Sequence, residues 1–121
     1  MSEAQELADR YVAVWNETDA DKRRQAIAAL WAPDGQHYVR TLEVRGYAAL
    51  EQRVTGSYEK NVRDAGYRFR SVKNAQALRN VLMLHWEMLP AGGGAVAAGG
   101  IVFLILNDAG RISCDYQFML S

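Results

Sequence analysis

The chain has 121 residues, half of them hydrophobic and 23% charged, which fits one soluble domain that buries its core without disulfides or metals. Fourteen basic side chains balance fourteen acidic ones, so no clustered basic excess points to nucleic acid or to an anionic membrane surface. The single Cys114 rules out an internal disulfide, the start MSEAQELADR is unlike a secretory signal, and no apolar run approaches the ~20 residues of a membrane helix, so a cytoplasmic location is expected.

The first third of the chain has helical periodicity. Leu7, Tyr11, Val14 and Trp15 form one apolar stripe, and Asn16 to Asp21 interrupts it. Thr18 followed by Asp21 resembles a capping box, which predicts a second helix from residue 19 or 20 with Ile27, Leu30 and Trp31 buried and Pro33 as its stop. Short extended segments surround His37-Tyr38-Val39. Gly46 then precedes a third helix carrying Tyr47, Leu50, Val54, Tyr58 and Val62, with Gly66 as its C-terminal cap.

Beyond Gly66 the period becomes alternating. Residues 67–77, 79–89, 95–106 and 111–120 predict four successive strands, with glycine-rich turns between the later ones. Gly99-Gly100 inside the third of these predicts a bulge or sharp bend. Three helices followed by an antiparallel meander make an α+β domain over residues 1–121, its helices packed on one face of a curved sheet.

The residues that carry a family likeness are ADRYVAVWNETDADKRRQAIAALWAPDGQHY, RGYAAL and the closing NDAGRISCDYQFML. Over nearly the whole chain these resemble the NTF2-like superfamily, and within it the SnoaL-like and ketosteroid-isomerase-like proteins. The resemblance implies a cone: three N-terminal helices on the concave face of a strongly curved, mainly antiparallel sheet, a cavity between them, and a homodimer through the outer sheet face. Tyr11, within Arg10-Tyr11-Val12, matches the isomerase tyrosine that donates to a developing oxyanion. The positions of the two isomerase acids fall near Val39 and Gly99, so steroid isomerisation is not expected. The SnoaL-like pattern places polar groups on the last strand, where this chain has Asp115 and Gln117.

In that last strand Ile112, Cys114, Tyr116, Phe118 and Leu120 alternate with Ser113, Asp115, Gln117 and Met119. Alternation alone favours the Asp115 set as the wet face and the apolar set as the core. The resemblance implies that Asp115 faces the cavity, where desolvation would raise its pKa towards that of a general base. Asp115, Tyr11 and His85 are therefore the candidate catalytic groups. In Val81 to Leu89 one face is wholly apolar and the other, with Met83, His85 and Glu87, is mixed, as a ligand cavity would be.

Trp15, Trp31, His37, Tyr58, Met83, Gln117 and Met119 are the candidate ligand-lining residues. The plain alternative is that the aromatics are core and the histidines are structural. With two histidines, one cysteine and no ligand-like spacing, no metal site is expected, and neither a nucleotide loop nor a nucleophile elbow calls for a cofactor.

The function these observations favour is binding of a small, largely apolar metabolite, with cofactor-free proton transfer of isomerase, dehydratase or cyclase type. Asp115 would be the base, and Tyr11 or a histidine the oxyanion donor. The rival is a non-enzymatic ligand-binding or dimerisation module. An epoxide-hydrolase-like site would need two acids and an arginine together, and only one such acid is evident.

Overall fold

A computed structural model describes residues 2–120. The helix α1 (Glu3–Val14) starts at Ser2, whose side chain accepts from the backbone N–H of Gln5. The helix α2 (Ala20–Leu30) starts at Asp19, which accepts from Lys22 N–H at 3.0 Å. The cap is thus Asp19 rather than Thr18: the helix begins at Ala20, so the residue directly before it has the extended backbone that aims a side-chain oxygen at the orphan N–H. The helix ends at Leu30, so Trp31 opens a strand instead of completing the α2 stripe.

Strands β1 (Trp31–Val39) and β2 (Leu42–Arg45) form a hairpin around Arg40-Thr41. Gly46, at φ +85°, leads into α3 (Tyr47–Ser57), whose last turns widen to a π-helix over Tyr58–Asp64. The predicted third helix is therefore present, but its second half is wound more loosely. The predicted strand 67–77 is divided into β3 (Tyr67–Ser71) and β4 (Gln76–Leu78), with Lys73 at φ +68° turning the chain between them. The long strands β5 (Val81–Pro90), β6 (Ala98–Leu106) and β7 (Ile112–Leu120) follow.

The strand order is β2-β1-β7-β6-β5-β3, with β4 also on β5. Every pairing is antiparallel except β1 with β7, which is parallel. That one parallel contact brings the segment after α2 beside the end of the chain. In register across the sheet run Leu82, Leu104, Asp115 and His37, and one pleat further along run Leu84, Val102, Gln117 and Val39. These rows form the concave face. Leu82, Leu84, Val102 and Leu104 are buried there, and the helices supply Tyr11, Ile27, Leu50 and Val54. Each fully buried aliphatic side chain contributes about 1.5–3 kcal/mol of transfer free energy.

Two side-chain amides tie α1 to the sheet edge. Asn16 donates to the Phe69 carbonyl at 2.7 Å and accepts from the Phe69 N–H at 2.9 Å, completing the ladder of β3 as a neighbouring strand would. Gln5 accepts from Ala75 N–H and donates to Ser71 Oγ. The edge is thereby covered.

The predicted irregularity at Gly99-Gly100 lies elsewhere. β5 and β6 pair without a break through Gly99 and Gly100, and the shift falls opposite Ile105 and Leu106, where β7 holds an extra residue at Ser113. That bulge changes the parity of the strand, so Ile112 is buried while Tyr116 and Phe118, two and three pleats on, are exposed. Gly100 has a different purpose: a Cβ there would stand 2.5 Å from the Trp86 indole. Gly100→Ala should accordingly cost about 1–3 kcal/mol in urea denaturation through overpacking. Gly99→Ala, whose nearest contact would be an ordinary 3.4 Å, should cost clearly less. At the α2 cap, Asp19→Ala should lose about 1 kcal/mol, with Thr18→Ala near neutral in the same assay.

Candidate functional site

Asp115 has no exposed surface. It lies on the concave face between Leu104 and His37, its neighbours in the cross-strand row. Trp31, the first residue of β1, donates its indole Nε1–H to Asp115 Oδ2 at 3.2 Å. His37 Nδ1 stands 2.5 Å from Asp115 Oδ1. From α3, Arg53 donates Nε–H to His37 Nε2 at 3.2 Å.

These contacts assign the protons. Arginine and indole N–H groups only donate, so His37 Nε2 is the acceptor and its Nδ1 carries the hydrogen given to Asp115. The result is a chain in which the Arg53 cation is connected through a neutral imidazole to the Asp115 carboxylate. Burial raises the Asp115 pKa above the usual carboxylate value, while donation from His37 and Trp31 and the Arg53 charge act against that rise. Burial lowers the Arg53 pKa, opposed by Tyr11 and Asp115.

A cavity of about 880 Å³ opens between the helices and the concave sheet, next to this chain. Arg53, Tyr11 and Trp15 form part of its wall, with Gln117 and Met119 from β7 and Trp86 and Met88 from β5. The Arg53 guanidinium lies over the Trp15 ring, 5.1 Å from its centroid. Its two terminal nitrogens have no hydrogen-bond acceptor among the described residues. The Tyr11 hydroxyl and the Trp15 Nε1–H are buried without a partner. Burial, and secondly the Asp115 charge, push the Tyr11 hydroxyl well above the usual phenol range, so it remains a donor.

The sequence-predicted residues are thus partly assembled. Tyr11, Trp15, Gln117 and Met119 line the cavity. Asp115, His37 and Trp31 are the buried layer behind that wall, and Asp115 is linked to the wall residue Arg53 through His37. Tyr58 is turned to Arg23, whose guanidinium stacks 4.7 Å above its ring.

His85 and Met83 fall on the outer face. The wholly apolar face of β5, with Leu84 and Trp86, is the concave one, because the helices demand an apolar partner. The mixed face looks outward, where the His85 ring and Asn74 are within hydrogen-bonding distance. His85 is therefore separated from His37 and Asp115 by the thickness of the sheet, and among the described residues no group of three or more His, Cys, Asp or Glu could hold a metal.

Arg53 is the residue that sequence reasoning missed. Its signal was present but faint: it stands three residues after Leu50 and one before Val54, at the border of the buried α3 stripe, where a charge needs a partner.

Among the described residues no helix is long and apolar enough to cross a membrane. Comparison with known proteins agrees with the geometry. The sequence profile of the SnoaL-like domain matches residues 8–114. A candidate isomerase of the SnoaL-like family from Agrobacterium tumefaciens is 25% identical and superposes with a TM-score of 0.90 over 100% of both chains. A candidate polyketide cyclase from Sinorhizobium meliloti, 12% identical, gives a TM-score of 0.69 over 93% of each chain. An NTF2-like protein of unknown function from Exiguobacterium, 18% identical, gives 0.72 over 95% of this chain and 98% of the other. No curated protein matches the chain. With the domain profile spanning most of its length and the cone-shaped NTF2-like fold on its structural neighbours, the chain belongs to the SnoaL-like family.

Proposed function

We propose that the cavity binds a small, largely apolar metabolite bearing a carbonyl group and catalyses proton transfer on it, in the isomerase, dehydratase or cyclase class. The observation that carries this reading is the Arg53–His37–Asp115 chain ending at the cavity wall beside the unpartnered Tyr11 hydroxyl. Among the structural neighbours, the 25% identical protein is itself a candidate isomerase.

The roles follow from the proton assignment. Tyr11 O–H donates to the ligand's carbonyl oxygen and stabilises the enolate that forms. As Arg53 turns from His37 towards the bound ligand, His37 Nε2 is released as the base for the adjacent carbon. Asp115, bonded to His37 Nδ1–H, orients the ring and stabilises the imidazolium. Asp115 is in this reading a positioning residue, not the base itself. The rival reading, a non-enzymatic binding module, is favoured by Arg53 already occupying the His37 lone pair.

The outer sheet face offers the place for a second copy. Tyr38 stacks on Tyr116 with centroids 5.4 Å apart, Phe103 meets Phe118 edge-on, and Tyr116, Phe118 and Leu120 are exposed although apolar or aromatic. A contiguous patch of this kind is characteristic of an interface. In this reading the protein is a homodimer formed across this face.

Deuterium exchange at the carbon next to the carbonyl, followed by NMR in D2O across a panel of aromatic ketones, tests the chemistry. The wild type should exceed buffer, and Tyr11→Phe and Asp115→Asn should each lower the rate about a hundredfold or more. Exchange no faster than buffer, with tryptophan fluorescence still reporting binding, would select the binding-module reading.

A separate check uses stability. Because the folded Asp115 holds its proton to higher pH than the unfolded chain, its contribution favours folding in acid and is lost as pH rises through its folded pKa. The stability of wild type relative to Asp115→Asn should therefore fall as pH is raised above the ordinary carboxylate range in urea titrations. For the dimer, light scattering should give twice the chain mass, and Phe118→Glu should give the monomer.

A further inference from the structure

The charges around the cavity are not balanced. Arg40, Arg53 and Lys60 line it, against a single carboxylate, Glu43. Arg53 spends one N–H on His37, and among the described residues neither it nor Arg40 nor Lys60 is in an ion pair. Of the eleven other arginines and lysines four are in ion pairs among the described residues, Arg24, Arg63, Arg70 and Lys73, so what marks the cavity is that three cations share one wall and that the terminal nitrogens of Arg53 face it without an acceptor.

Arg40 bears on the same charge excess. It occupies a corner of the two-residue β1–β2 turn at φ +52°, a left-handed conformation usually given to Gly, Asn or Asp. An arginine placed there accepts backbone strain, and it brings a like charge close enough to Arg53 to disfavour the guanidinium charge on that residue. The like-charge approach is unfavourable for the protein alone and is relieved by an anion between the two groups. The rest of the wall has the opposite character: Phe69, Trp86, Met88 and Ala98 are apolar, and Phe69 meets Trp86 edge-on at 5.3 Å.

We propose that the ligand of this cavity is an amphipathic organic acid, its carboxylate taken by the free Arg53 N–H groups under the Arg40 and Lys60 charges, and its aromatic or aliphatic body lying along Phe69, Trp86 and Met88. The proposal rests on the reading of the cavity as a ligand site and narrows it to anions. A planar guanidinium with two unpaired nitrogens matches a carboxylate bidentately, which a neutral ester cannot reproduce.

Isothermal titration with 2-naphthoate and its methyl ester separates the two ideas. The acid should bind at least ~10-fold more tightly than the ester, and its affinity should fall as NaCl is raised, because the charges at the mouth are screened. Arg53→Met should remove the preference. Since that variant also strips His37 of its donor, the double variant Arg40→Gln/Lys60→Gln is the cleaner test: it leaves the buried chain intact and should reduce the preference and its salt dependence while the ester binds as before. Equal affinity for acid and ester would overturn the anion proposal and leave the cavity reading standing. Binding of neither probe would overturn both.

Discussion

A carboxylate with no exposed surface constrains everything around it. Asp115 satisfies both of its oxygens with Trp31 and His37, and His37 in turn accepts from Arg53, so that the buried negative charge and the positive charge at the cavity wall are joined through one ring. Leaving a buried polar group without its hydrogen-bond partner typically costs about 1–3 kcal/mol, and more when the group is charged, because its desolvation is then uncompensated. The chain therefore fixes the positions of three elements at once. β1 must run parallel to β7 so that His37 stands opposite Asp115, α2 must end before Trp31, and α3 must present Arg53 to the sheet.

The sheet then acts as a partition between two chemistries. Its concave face is apolar apart from Asp115, His37 and Gln117, and the helices convert it into a core at one end and a cavity at the other. Its outer face carries Met83, His85, Tyr116 and Phe118, with none of the described helices over it. The bulge at Ser113 is what allows Ile112 and Asp115 to share the inner side of one strand. Without that extra residue, strict alternation would turn either the core isoleucine or the carboxylate outward.

Much of this was legible beforehand because it depends on local rules. The apolar stripes of α1 and α3, the turn glycines and the alternating strands follow from periodicity and backbone preference, and the family likeness supplied the cone. The misreadings have a common cause. Trp31 continued a helical stripe by spacing, yet became a strand residue whose indole N–H serves Asp115. His85 lay on a mixed face that looked like a cavity, but the helices required the fully apolar face for themselves. Gly100 looked like a bend and instead makes room for the Trp86 ring.

By itself, the sequence determined the element order, the α+β class and the alternation that put Asp115, Gln117 and Met119 on one side of the last strand. Those properties arise from interactions within a few residues, where spacing is sufficient. Only the tertiary structure decided which face is inside, and that Arg53, His37 and Asp115 form one chain. Their contacts join residues 16 and 78 positions apart, and the protonation of each group depends on the donor that reaches it across that distance. Separation of that size leaves no periodic trace in a sequence, and the partner of a buried charge is settled only when the fold closes around it.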